Sequence, residues 1–216
     1  MGFNMSWIVI DGIDQDALYQ VLDLAPTGET SDPDDLGTSR VPLAGATLKS
    51  GRCAIFAKYA LAMDLTMGTN PPRLMRMPAK SRCAICVVLE HAMISYASFW
   101  QGGRNTWQIR HDPSQGGEHL EASGDLPPEF PVFRDNAIDK QRAQQERRKP
   151  GEWGVDHVFD VALDTAATIT GYRHDQVVEA DFFRNLQTLV PTKGNVLTKL
   201  SQPPKWWQAA GSIEYE

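Results

Sequence analysis

The sequence predicts an α+β fold in a single domain, an antiparallel β-meander packed by several helices. Strand-length apolar runs cluster between residues 83 and 123, separated by short turns that suit antiparallel neighbours. Segments with apolar residues at helical spacing flank them near 15–24, 129–142 and 162–170. The 216 residues, read as one domain over 1–216, suffice for a sizeable core. A chain of that size buries roughly 70% of the surface its unfolded form exposes, so no metal or disulfide staple is needed.

Ser6 to Ile10 reads as a strand, aromatic and β-branched, broken by Asp11-Gly12. Asp14 is a good N-cap, and Leu18, Val21 and Leu22 follow at helical spacing. Residues 26–51 are rich in Gly, Pro, Asp, Ser and Thr and read as loop. Cys53 to Ala57 is a second strand, and 58–67 a short buried helix stopped by Asn70-Pro71-Pro72.

Cys83 to Leu89 is a continuous apolar run, and Ala92 to Trp100 follows it. Gly102-Gly103 suits a two-residue hairpin turn, which should bring Trp100 and Trp107 near each other. His119 to Ala122 returns as another strand. After Pro127-Pro128 a helix buries Phe130, Phe133, Ala137 and Ile138; its apolar residues run out beyond Lys140, so 144–154 reads as a mobile loop. Val155 to Val161 reads as a strand, followed by a helix ending at Gly171. Phe182 to Val190 is an apolar segment, and 191–216 reads as a peripheral tail.

The formal net charge of −6 argues against general nucleic-acid binding. Residues 134–149 carry six basic side chains against three acidic ones, which reads as a solvated helix end. No apolar run is long enough to span a bilayer, and no signal peptide is visible. With an odd count of three cysteines, this predicts a reducing, cytoplasmic setting. The myristoylation-like Gly2–Ser6 and the sequon Asn4-Met5-Ser6 are short matches, expected to be unmodified.

The common nucleotide, serine-hydrolase and zincin motifs are absent from the sequence. Cys83 and Cys86 have C-x-x-C spacing inside a strand, where residues three apart point to opposite faces, so both should be buried and unbridged. Asp32-Pro33-Asp34-Asp35-Leu36-Gly37 imitates a calcium loop but has Leu43 where the bidentate Glu belongs. No cofactor is expected.

Arg110-His111-Asp112 and Arg173-His174-Asp175 repeat a tripeptide at element ends, and His119 lies one loop from the first. If they converged, His111, Asp112, His119, His174 and Asp175 could bind a metal or do acid–base work as a hydrolase. Nothing in the sequence forces His174 to join the others, so the imidazoles are expected apart. Trp206 and Trp207 are the candidates for contact with a partner protein.

Ser6-Trp7-Ile8, Trp100…Gly103…Trp107, His111-Asp112, His119-Leu120-Glu121, Gly124, Phe159-Asp160 and Gly171-Tyr172-Arg173-His174-Asp175 together resemble a family of uncharacterised bacterial proteins. The resemblance covers about residues 6–176 and implies a bacterial, cytoplasmic setting, with no chemistry attached. The absent motifs and ordinary acidic composition point to a non-catalytic interaction or regulatory protein of the immunity-protein kind. The hydrolase is the alternative.

Overall fold

A computed structural model of the chain describes residues 3–36, 40–59, 61–67, 73–149, 152, 154–176, 179 and 181–192. Among these, nine antiparallel strands form one sheet in the order β2-β9-β3-β4-β1-β5-β6-β7-β8. In chain order the strands are β1 (Asn4–Asp11), β2 (Leu24–Thr30), β3 (Leu43–Leu48), β4 (Cys53–Lys58), β5 (Arg82–Leu89), β6 (Ile94–Gln101), β7 (Arg104–His111), β8 (Glu121–Gly124) and β9 (Phe183–Pro191). The helices are α1 (Gln15–Leu22), α2 (Leu61–Met67), α3 (Phe130–Arg147) and α4 (Phe159–Thr170). The fold is α+β, but only β5 to β8 run as a meander. The other half of the sheet interleaves distant segments, with β9 between β2 and β3.

β1 is central and buried on both faces, so its side chains divide two cores by parity. Trp7 and Val9 face a core shared with Phe130 and Ala137 of α3 and Phe159, Leu163 and Ala166 of α4. Ile8 and Ile10 face a second core shared with Leu18 and Leu22 of α1 and Leu61 and Leu65 of α2. Helices therefore cover both faces. Cys86 lies in the first core and Cys83 in the second, as strand alternation requires, and both are free thiols.

Several elements differ from the sequence reading. Residues 26–51 include β3 and most of β2 rather than continuous loop. The α3 helix runs on to Arg147, into the range expected to be a loop. Polar anchors hold this extension: Gln141 accepts from the backbone N–H of His157, and Gln144 bonds both N–H and C=O of Val155. Residues 155–161 are not a strand, because the Asp156 carboxylate accepts from the backbone N–H groups of Val158 and Phe159 and starts a helix there.

The turn between β6 and β7 is the expected two-residue hairpin, with φ of 55° at Gly102 and 77° at Gly103. A Cβ on Gly103 would lie 3.0 Å from the Met75 Cα, so that turn tolerates no side chain on two counts. The two tryptophans do not pair across it. A register shift between Phe99 and Trp100 sets Trp107 opposite Phe99, with rings stacked at 6.1 Å. Trp100 packs against the other core. Trp206, Trp207 and the tail 193–216 lie outside the described residues.

Candidate functional site

Two histidine clusters sit near one end of the sheet, on the face covered by α4. The first is built from the end of β7, the loop after it and the start of α4. His111 closes β7, and its side chain is fully buried. Its Nδ1 is 2.6 Å from the His119 carbonyl and its Nε2 is 2.9 Å from Asp156 Oδ2. A carbonyl and an ionised carboxylate can only accept, so both ring nitrogens donate when Asp156 is ionised. Asp156 thereby ties the α4 N-terminus to the last residue of β7.

His119 is oriented by the backbone. The Asp112 N–H donates to its Nδ1 at 3.0 Å, which leaves Nε2 to carry the proton of the neutral ring. That Nε2 is 3.4 Å from Glu121 Oε1. Asp112 is itself engaged: Arg110 donates to one oxygen at 2.7 Å, and the Ser114 N–H and hydroxyl donate to the other. Asp112 therefore shapes the turn after β7 and does not orient an imidazole through its carboxylate.

The second cluster lies where the segment after α4 crosses β1. The His174 ring is tilted over Trp7 at 5.8 Å and meets the edge of Phe3 at 5.2 Å. Its Nε2 is 2.9 Å from Glu90 Oε1, while Glu90 Oε2 accepts from the Phe3 N–H. His174 Nδ1 and Trp7 Nε1 are buried and find no hydrogen-bond partner among the described residues. Asp175 turns away from His174. Both its oxygens accept from the Arg173 guanidinium, at 2.9 and 2.8 Å. That guanidinium also reaches Asp160 and Asp164 on α4.

The fold thus brings together His111, His119 and Asp112, and it places His174 and Asp175 elsewhere. Between β1 and β7 lie three strand spacings, about 14 Å at the usual interstrand distance. Among the described residues, no group of three or more His, Cys, Asp or Glu side chains is arranged to hold a metal ion.

No family model, no curated protein and no solved structure matches the chain. The chemistry of the clusters therefore rests on their own geometry.

Sequence reasoning missed two members of these clusters, Asp156 and Glu90. Asp156 carried a usable signal: it stands three residues before Phe159, the spacing of a cap to a helix's first turn. Read inside a strand, it loses that meaning. Glu90 carried none, because its partners Phe3 and His174 are 87 and 84 residues away. Chemically, the first cluster resembles a buried brace. Both nitrogens of His111 are occupied, and Nε2 of His119 is its remaining proton-bearing group.

Proposed function

We propose that the chain is a non-catalytic interaction or regulatory protein of the bacterial cytoplasm, of the immunity-protein kind, whose partner is another protein. One observation carries this reading: four of the five groups that a hydrolase would use are engaged in local structural contacts. His111 braces β7 to α4, Asp112 shapes a turn, His174 holds the segment after α4 to Glu90 and to Trp7 of β1, and Asp175 pairs with Arg173. A general base needs a free lone pair within reach of substrate.

The surface suited to a partner lies at the β8 end of the sheet. All four residues of β8 are exposed, and among the described residues β8 has a strand neighbour on one side only. Its outer backbone edge is the kind that accepts an added strand. The loop before β8 is pinned to α3 by Arg142, which donates to both oxygens of Glu118.

The second reading is a metal-dependent or acid–base hydrolase. It is favoured by the one imidazole pair the fold brings together, His111 and His119, with ring centres 6.3 Å apart. One experiment separates the two. Untagged protein and its His119→Gln variant are assayed on ester, phosphoester and peptide probes, with and without zinc. The interaction reading expects no turnover that distinguishes them. A rate that falls about a hundredfold in the variant, at unchanged melting midpoint, overturns it. A partner cross-linked at one-to-one stoichiometry through Lys140 or Lys149 on and beside α3 would support it.

A further inference from the structure

A second place in the molecule has the make-up of a ligand site, away from both histidine clusters. Near the C-terminal turn of α4, the helix and the sheet beneath it enclose a half-open cavity of about 290 Å³. Its apolar floor is Val9 of β1, Ala84 of β5 and Phe99 of β6, and its wall is Thr168 and Ile169 of α4. Ala84 supplies little side-chain volume there. Three charged side chains, Asp11, Arg52 and Arg82, complete the lining. The volume lies at the lower end for small-molecule sites, roughly 300–1,000 Å³.

The charges are not symmetric. Arg82 Nη2 donates to Asp11 Oδ2 at 2.5 Å, which fixes that guanidinium against β1. The pair is about half exposed, so it is open to a ligand as well as to water. Arg52 donates through Nη1 to the Ile169 carbonyl and so offsets the negative end of the α4 dipole. A guanidinium has five N–H groups in a fixed fork, and each arginine uses only part of its set in these bonds. Two cations against one carboxylate leave the lining positive, in a chain whose formal net charge is −6.

We propose that this cavity binds a small organic carboxylate with an apolar body. The carboxylate meets the forks of Arg82 and Arg52, and the body lies on Val9, Ala84 and Phe99. Arginine suits the first task because its planar fork matches a carboxylate in two parallel hydrogen bonds. The apolar floor suits the second because it removes hydrocarbon from water while the charged end stays at the mouth. A bare inorganic anion would leave that floor unused, and a neutral ligand would leave the guanidinium groups unused.

The test uses the full chain, isotopically labelled, with benzoate as the probe and amide chemical shifts as the readout. Benzamide and inorganic phosphate are the comparisons. Saturable shifts are expected for benzoate at Ala84, Phe99, Thr168 and Ile169, with much weaker effects from the other two. Arg82→Gln should weaken benzoate binding about tenfold or more, since it removes a charge-assisted hydrogen bond and frees Asp11 to repel the anion. Arg82→Lys should restore part of the loss. Equal binding of benzamide, equal shifts from phosphate, scattered non-saturable shifts, or unchanged affinity in a folded Arg82→Gln chain would each overturn the proposal. The first three comparisons need no variant, so a misfolded substitution leaves the test intact.

Discussion

Arg173 is the residue around which the segment after α4 is organised. Its side chain is 9% exposed, and its guanidinium meets Asp160, Asp164 and Asp175. Removing it would leave three carboxylates facing one another without a cation. Because those partners are 39–46% exposed, solvent screens much of the repulsion, and Arg173→Met should cost about 2 kcal/mol, below the range for a fully buried pair. Chemical denaturation checks it through the midpoint at constant slope. The two acids respond to pH in opposite senses. The hydrogen bond from Arg173 holds the Asp175 carboxyl below its ordinary value. The unfolded chain then takes up that proton first as pH falls, so the stabilisation is complete above about pH 4 and is lost as pH drops through the folded value. Burial pushes the Asp164 carboxyl up, so its ionisation at higher pH works against folding. Asp175→Asn should therefore flatten the acid limb of the stability–pH curve, and Asp164→Asn should steepen it. Parallel acid limbs for both variants would contradict this assignment. The cysteines behave more simply. Burial pushes the thiols of Cys53, Cys83 and Cys86 up, so none should react with a disulfide reagent in the native protein and all should react in denaturant. That outcome was legible from the sequence for Cys83 and Cys86, because strand alternation alone sends them to different cores.

At the scale of elements, legibility follows how the signal is encoded. β1, β4 and β5 are apolar and buried on both faces, and α1 has both an apolar stripe and an Asp14 cap, so local pattern suffices for them. β3 is Leu-Ala-Gly-Ala-Thr-Leu and lacks the bulky residues that mark a strand. The reason is steric: a Cβ on Gly45 would come within 2.8 Å of the Tyr19 ring carbon Cζ, so α1 can pack there only over a glycine. β2 contains Pro26 and Gly28 and lies exposed at the sheet edge, where such residues are tolerated but read as loop. The start of α4 failed for a different reason. Val155, Val158 and Phe159 imitate a strand, and only the reach of Asp156 to two backbone N–H groups reveals a helix. That carboxylate has two separable tasks, capping α4 through Oδ1 and pairing with His111 through Oδ2. Asp156→Asn keeps an oxygen for the cap and loses the charge facing His111, whereas Asp156→Ala loses both. The alanine variant should cost about 2–4 kcal/mol, the sum of a cap and an unsatisfied buried donor, and the asparagine variant clearly less. Equal losses in thermal or denaturant unfolding would show that Asp156 does not act as a cap.

For the whole molecule, the decisive arrangement is the insertion of β9 between β2 and β3, which no local pattern could disclose. The apolar run Phe182 to Val190 was visible, but the strand partners of β9 lie 135 to 167 residues earlier, from the Leu48–Phe183 pair to the Leu24–Pro191 pair. Pairing at that separation is set by shape and burial and not by neighbours in sequence. It also makes one half of the sheet depend on one late strand. Among the described residues β2 has β9 as its only strand neighbour, and β3 has β9 on one side and β4 on the other. Leu189 carries β9 into the core beneath α1, and Gln187 Nε2 donates to the Tyr19 hydroxyl at 3.1 Å. By contrast, β1, β5, β6 and β7 are consecutive neighbours in the sheet, and β5, β6 and β7 lie under α4. Two parts of one sheet should therefore differ in how they open. Thr188, paired with Ala44, is the place to test this. Thr188→Pro removes a backbone donor from an interior strand and strains its ladder, at a cost of about 3 kcal/mol or more. Hydrogen exchange should then show lost amide protection across β2, β9 and the β9-facing edge of β3, with α1 loosened through Tyr19. Protection in β1, β5 and β6 should persist, because none of their ladder partners is β9. If protection fell uniformly over all nine strands, the sheet would be a single cooperative unit and the division argued from its strand order would be wrong.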